Sequence, residues 1–401
     1  MNKGIKEARE LALRILNPSR QELRHGLELH KNSIVIDAYG FAPRCALEGD
    51  RVREAVEAGA SEAEIQDMEE DMAMTRCLSD AAERAEFMSA WAAAGVTCIL
   101  QNAGEEGQDI HRLVKRLAHF TYVTDVMRDF VQKAVTPDDI VTIKKRNRHC
   151  LYLSANGVPL PQDWASAEEE LRYIKIFYQL GIRMMHLTYN RRNMIGDGCA
   201  EPANGGLSDF GRAVVAEMNR VGVIADVAHS GQQTSLNAAK ISKRPVVASH
   251  TGCGAINGHI RCKPDDVIQA ISDAGGYVGI CCIPSFLGGR GDISAMLDHI
   301  GYVVDNFGAD HVAIGTDVAN ISRNAELEEK KVLQRPKARS GWESLWPPGS
   351  LGADKPEQTL SMAWTNWPLF TVGLVQRGYT DDEIRKIIGG NTLRVARAVL
   401  T

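Results

Sequence analysis

No apolar run in this chain reaches the roughly 18 residues that a helix needs to cross a bilayer. No lysine and arginine cluster marks a face for a phosphate backbone. The formal charge is -5 and the two signs are interspersed, which argues against a nucleic-acid partner. The stretch from Met1 to Arg24 is charged and helix-prone and lacks the apolar core of a signal peptide. The nine cysteines are odd in number and follow no framework spacing, so a disulfide scaffold is excluded. Buried free thiols in a reducing cytoplasm explain them, the adjacent Cys281 and Cys282 included. Gly288–Gly289–Arg290–Gly291 does not match a phosphate loop and reads as a turn. There is no exact internal repeat. These absences leave a cytoplasmic protein that acts on a small molecule, with no membrane and no nucleic-acid partner.

What is present is alternation. Short apolar runs end in polar residues and are separated by helix-like segments. Eight such runs are predicted as strands: 33–40, 96–102, 150–157, 184–190, 222–229, 245–250, 277–284 and 311–317. The fold class this implies is α/β, a (β/α)8 TIM barrel, since a parallel sheet needs helices on its faces and closure removes its edges. Residues 1–32 read as a helical N-terminal extension. Residues 33–401 read as one barrel domain, with a long loop at 318–355 and C-terminal helices over roughly 357–377 and 380–400. The loop leaves from a strand end at the mouth, so it is either a lid or a surface or dimer contact.

In a parallel barrel the carboxyl ends of the strands converge on one mouth. The strand ends here carry Tyr39 and Phe41, Gln101 and Asn102, Asn156, Tyr189 and Asn190, His229, His250, Cys282 and Asp317. His229 and His250 close neighbouring strands and could share a metal ion; each alone could equally be a strand cap with a satisfied hydrogen bond. Asp317 follows a buried run with no local cation and could serve as metal ligand or general base. Arg261 lies just beyond the sixth strand, where it could clamp a substrate carboxylate or form a surface salt bridge.

Several linked motifs then carry a likeness. Leu187–Thr188–Tyr189–Asn190, Gly196–Asp197–Gly198–Cys199, Gly206 to Gly211, Asp226–Val227–Ala228–His229, Ala248–Ser249–His250, Arg261, Pro284–Ser285–Phe286, Gly315–Thr316–Asp317 and Gly389 to Arg394 occur in order. Together they resemble the renal (membrane) dipeptidase family, a branch of the metal-dependent amidohydrolase barrels. The resemblance covers residues 150–400 well and the first 150 poorly. It implies two zinc ions, hydrolysis of dipeptides and often a homodimer. It also implies that His229 and His250 are ligands, that Asp317 is the last-strand aspartate and that Arg261 holds the substrate carboxylate.

The departures sit at the other metal. Where the family has a His-x-Asp pair, this chain has Tyr39–Gly40–Phe41. Asn156 stands for the bridging glutamate and Tyr189 for a histidine. A neutral amide brings no charge to offset the repulsion between two cations. The expected centre is therefore mononuclear, on His229, His250 and Asp317, with zinc first and iron or manganese as alternatives, or with no metal at all. Asp37, Glu48, Asp50 and Glu105 are the carboxylates that could replace the lost ligands. Asp317 and Tyr189 are the expected catalytic residues; Arg261, Tyr39, Asn156 and Asn190 are expected to bind substrate. The expected reaction is hydrolysis of an amide-type bond in a small carboxylate-bearing substrate. The alternatives are a lyase, decarboxylase or isomerase step on the same scaffold, or a catalytically silent ligand-binding relative.

Overall fold

The computed structural model describes residues 2–104, 109–332, 346–347 and 354–400. Two helices, α1 (Lys3–Leu16) and α2 (Arg20–Asn32), come first, as the N-terminal pattern predicts. Ser19 caps α2 reciprocally with Glu22, which satisfies the free donors of its first turn. Both helices pack on the C-terminal segment rather than standing apart, α2 against the helix Trp367–Gln376.

Nine parallel strands follow: β1 (Ile36–Gly40), β2 (Cys98–Asn102), β3 (Val131–Lys133), β4 (His149–Ala155), β5 (Ile182–His186), β6 (Ile224–Asp226), β7 (Val246–Thr251), β8 (Val278–Ile280) and β9 (Val312–Ile314). Eight of them run around the barrel in the order β1-β2-β4-β5-β6-β7-β8-β9. All eight correspond to the runs predicted above. The extra strand, β3, pairs with His149–Leu151 of β4, leaving Leu153–Ala155 to β5. Its three residues are too few to show a strand period.

The seam between β9 and β1 is stitched by loop groups. The Asp317 amide donates to Tyr39 O at 3.0 Å, and the Thr316 amide donates to Asp37 Oδ1 at 2.9 Å. The barrel is thereby nearly closed. Strand alternation separates two layers. Ile36, Leu100, Tyr152, Met184, Ile224 and Val247 share one buried cluster, whereas their neighbours Ile99, Leu151, Met185 and Ala225 join the cluster that includes the surrounding helices.

The caps fall where turn chemistry places them. Ser61 with Glu64, Asp80 and Ser208 start helices, and Gly95 ends one in the left-handed conformation that glycine tolerates. The charged stretch after β1 also forms a helix, Gly49–Glu57. Neither C-terminal helix is continuous. The first breaks between Ser361 and Trp367, because Ala363 is extended and Pro368 cannot donate to a preceding turn. The second is interrupted by a wide turn at Lys386–Gly390. Half of the 318–355 loop, 333–345 and 348–353, lies outside the described residues, as does Glu105. Trp346 does pack near the mouth, against Phe286 and His259. No described helix is long and apolar enough to cross a membrane.

Candidate active site and metal centre

β6 ends at Asp226 and β7 runs through His250, so the following turn brings His229 beside His250. Their Nε2 atoms are 2.9 Å apart and both rings are buried. Two bare ring nitrogens at that distance repel, so they share either a proton or a cation. Arg261 Nη2 lies 3.3 Å from His229 Nε2. A guanidinium only donates, so without an ion His229 Nε2 accepts and His250 Nε2 donates. The remaining nitrogens agree with this. His229 Nδ1 donates to Asn190 Oδ1 at 2.8 Å, and His250 Nδ1 accepts from Ser249 Oγ at 2.9 Å. Burial first, then the Arg261 charge, holds both imidazoles well below their ordinary range and keeps them neutral.

Aromatic rings fix the pair. Tyr39 stacks on His250 at 3.9 Å between centroids, and Tyr189 stacks on His229 at 4.2 Å. The loop after Asn190 folds back over this turn, with the Cys199 amide donating to His229 O at 2.8 Å. Glycine is required at Gly198, because any Cβ there would run into the backbone of Tyr189 and Asn190.

Arg261 is fully buried. Its Nη1 donates to Ala228 O, its Nη2 donates to His250 O at 3.1 Å, and its Nε has no partner. Lys263 is buried beside it and donates to Ser230 O at 2.6 Å. Burial pushes the Lys263 ammonium down to about 7. The histidine pair thus sits under two buried cationic side chains.

The four expected substrate contacts, Tyr39, Asn156, Asn190 and Arg261, are at most 3% exposed, so they form the floor of the site rather than its rim. Asn190 has its oxygen engaged by His229 and by the Cys199 thiol, which makes it a positioning residue. Tyr189 and Asp317 are half-buried. Asp317 has φ +58°, a left-handed conformation that aspartate adopts at modest cost and that turns the chain sharply at the mouth.

The structure groups different ligands from those expected. Among the described residues, the group of three candidate ligand atoms lying within 4.8 Å of one another is His186, Asp226 and His250. Asp317 is not in it. His186 and Asp226 are register partners across β5 and β6, on the lumen side of the alternation that runs through Met184 and Ile224. His186 Nε2 and Asp226 Oδ2 are 2.8 Å apart and fully buried, yet poorly aligned for a hydrogen bond, and neither atom has another partner. Asp226 Oδ1 is engaged by the amides of Ala228 and Ser249. Burial works to raise the Asp226 carboxyl, but the attraction of His186 and the Ser249 contacts outweigh it and leave the group below its ordinary value. Sequence alone marks Asp226 only as part of the motif that ends in His229, and does not mark His186 as a site residue. Period-2 counting back from Asn190 reaches His186, but counting back from His229 passes Val227 and Ala225 and misses Asp226, whose strand ends three residues earlier.

The described carboxylates considered as substitutes, Asp37, Glu48 and Asp50, are committed elsewhere. Asp37 accepts from Thr316 and from Trp364 Nε1 at 3.0 Å. Glu48 pairs with Arg76, and Asp50 pairs with Arg53 and Lys331. A two-ion centre therefore does not fit: Tyr39, Phe41 and Asn156 supply no charge where the family resemblance places ligands. A single ion fits better, because the lumen holds an imidazole nitrogen and a carboxylate oxygen side by side that have only each other as partners.

The model of the membrane dipeptidase family, peptidase family M19, matches residues 23–336. The chain belongs to the membrane dipeptidase family. Dipeptidase verJ of Clonostachys rogersoniana is 30% identical over 225 residues, 55% of this chain and 50% of that protein. Dipeptidase aclJ of Aspergillus oryzae is 31% identical over 228 residues, 55% of this chain and 46% of that protein. The chain spans about half the length of the curated relatives it matches. Among solved structures, an amidohydrolase from Pseudomonas aeruginosa is similar with a TM-score of 0.67 and 26% identity, over 93% of this chain and 98% of that one. A metallo peptidase from Rhodobacter sphaeroides, liganded with a phosphinate mimic of the dipeptide L-Ala-D-Ala, shares the fold with a TM-score of 0.58 and 18% identity. That match covers 92% of this chain and all of the other.

Proposed function

We propose that this chain hydrolyses an amide-type bond in a small, carboxylate-bearing, dipeptide-like substrate, using one divalent ion. Zinc suits the donor set first, with iron or manganese as alternatives. The observation that carries this reading is the mouth itself: a buried imidazole pair beneath two buried cationic side chains. Such a floor attracts an anion such as a carboxylate. Family membership and the names of the similar proteins support the reaction class.

An ion bound here would polarise the scissile carbonyl and lower the pKa of a bound water. The other roles belong to side chains. Arg261, with Lys263 behind it, draws the substrate carboxylate towards the floor. Asp317, at the end of β9, takes the proton from the attacking water and returns it to the leaving amine. Tyr189 and Tyr39 hold the imidazole planes so that the pair keeps its geometry as substrate enters. Asn190 fixes the His229 tautomer through Nδ1.

A second reading has one observation in its favour. Ser249, His250, His229 and Asn190 form one continuous chain of side-chain hydrogen bonds. A metal-free or non-hydrolytic enzyme would use that relay as it stands. Elemental analysis of gently purified protein, followed by turnover of a dipeptide panel before and after chelation, separates the two. One ion per chain with chelator-sensitive hydrolysis supports the first reading. Activity that survives removal of all metal supports the second, and two ions per chain refute the mononuclear centre.

A further inference from the structure

We infer that the ion-binding position of this chain is the lumenal triad His186, Asp226 and His250, contributed by the adjacent strands β5, β6 and β7, and not the set His229, His250 and Asp317. The inference rests on the single-ion reading above and places the ion within it.

Three observations carry it. The first is proximity: one ligand atom from each of the three residues lies within 4.8 Å of the other two. Ligands of a tetrahedral ion, each about 2.0–2.2 Å from it, sit roughly 3.3–3.5 Å apart, so small side-chain movements close the set. The second is dissatisfaction. His186 Nε2 and Asp226 Oδ2 are 2.8 Å apart in a fully buried lumen with no well-aligned bond between them and no other partner. Buried polar atoms are rarely left so, and a cation between an imidazole nitrogen and a carboxylate oxygen satisfies both. The third is support. His186 Nδ1 lies 3.2 Å from Ala155 O, and its N–H donates there, which directs the Nε2 lone pair towards Asp226. Asp226 Oδ1 is held by two backbone amides, leaving Oδ2 as the free donor. Ser249 orients His250, and Tyr39 packs edge-on against His186 at 5.1 Å. These are the outer contacts that metal ligands need.

The competing position is electrostatically worse. His229 Nε2 already faces the Arg261 guanidinium at 3.3 Å, and a divalent ion placed there would meet that charge directly. The triad offers one carboxylate and two imidazoles, a three-ligand set that leaves a coordination position open for water. With the triad filled, His250 gives a ring nitrogen to the ion in place of one of its two present hydrogen bonds, and His229 faces the substrate.

The test is metal binding, read without turnover. Full-length protein is stripped, reloaded with Zn2+ and analysed for bound metal; cobalt(II) replaces zinc for absorption spectra. His186→Gln and Asp226→Asn are the informative variants, because Asp226→Asn keeps the Oδ1 acceptor for both amides. Circular dichroism and thermal melting establish that each is folded. We expect about one ion per parent chain. In both variants apparent affinity falls by more than about 100-fold, since even outer-shell partners cost 10–100-fold. The cobalt d–d bands should be altered or lost, while Asp317→Asn retains the ion. If His186→Gln and Asp226→Asn bind the ion as the parent does and His229→Gln loses it, the placement is overturned and the single-ion reading survives. If the parent binds no ion at excess Zn2+, both fall, and the His186–Asp226 contact is an ion pair between imidazolium and carboxylate. Should the variants not fold, anomalous scattering from zinc-soaked parent crystals decides: a peak between His186 and Asp226 supports the placement and a peak elsewhere overturns it.

Discussion

Asn190 and Arg261 show how differently two floor residues act. The amide oxygen of Asn190 accepts from His229 Nδ1, so the ring is held as the neutral tautomer. In Asn190→Asp a carboxylate would stand there and stabilise the imidazolium. The His229 pKa should therefore rise, and an NMR titration of the histidine ring signals would show it; an unmoved titration would mean that Nδ1 does not donate to residue 190. Arg261 acts on folding as well as on ligand. It ties Ala228 O and His250 O, the backbone on either side of the histidine pair, to one rigid fork. Arg261→Ala leaves those carbonyls unpaired in a buried site, at a cost on the order of 2–4 kcal/mol. Denaturant unfolding measures that cost, and calorimetric titration with a carboxylate inhibitor measures the parallel loss of affinity. If stability is unchanged, the buried fork is not holding the turn. His229 and His250 were legible as strand-end residues because each follows an obvious apolar run, and Arg261 by its place just beyond the sixth strand. His186 was not, because its strand ends four residues before the polar Asn190 that the eye takes as the end.

At the scale of elements, the C-terminal motif Gly389 to Arg394 closes the end of the barrel opposite the mouth. Asn391 Nδ2 donates to Ala309 O at 2.7 Å and to Val312 O at 2.8 Å, holding the start of β9. Arg394 reaches Gly275 O at 2.6 Å and Asp310 O at 2.7 Å. A Cβ on Gly389 would press on Ile34 O and, at 3.0 Å, on the Ile36 amide at the start of β1. Contacts at the amino ends of barrel strands serve stability rather than chemistry. Asn391→Ala is thus expected to lose about 1–3 kcal/mol of stability in urea unfolding while KM stays at the parent value. A changed KM with unchanged stability would contradict this division. The motif was readable as a resemblance, but its work was not: nothing local in Gly-Gly-Asn says which strand it will clamp. The strand β3 and the breaks in the last helices were missed for related reasons. Three residues carry no period, and one extended alanine breaks a helix whose apolar face continues on both sides.

At the scale of the whole molecule, two of the buried ionisable groups, Asp37 and Lys263, act on stability with opposite sign. Burial pushes the Asp37 carboxyl up to about 7, against the lowering contacts of Thr316 and Trp364. The folded chain then keeps a proton that the unfolded chain releases from about pH 4 upward, so this contribution is present at low pH and is lost as pH climbs towards 7. Lys263 is pushed down to about 7 by burial. Here the unfolded chain keeps the proton longer, and stability is regained as pH rises from about 7 towards the ordinary lysine value near 10.4. Together they place a shallow minimum near neutrality in a plot of unfolding free energy against pH. Denaturant titrations at pH 5, 7 and 9 would trace it. Asp37→Asn should flatten the acid limb and Lys263→Met the alkaline limb; limbs that persist in both variants would assign the profile to other groups.

The order of apolar runs, their lengths and the caps between them were enough to determine an eight-stranded parallel barrel, since period and turn chemistry are local properties of the chain. The same local reading identified His229, His250 and Arg261 as residues of one mouth, because strand ends in such a barrel must converge. Tertiary structure alone decided which groups meet inside. His186 faces Asp226 only because β5 and β6 pair in one particular register, and a slip of either strand by one residue would turn its member of the pair to the outer layer. Burial, too, is a property of the assembled fold. It makes Asp37 and Lys263 titrate near 7 and leaves a carboxylate and an imidazole facing each other without a proper bond.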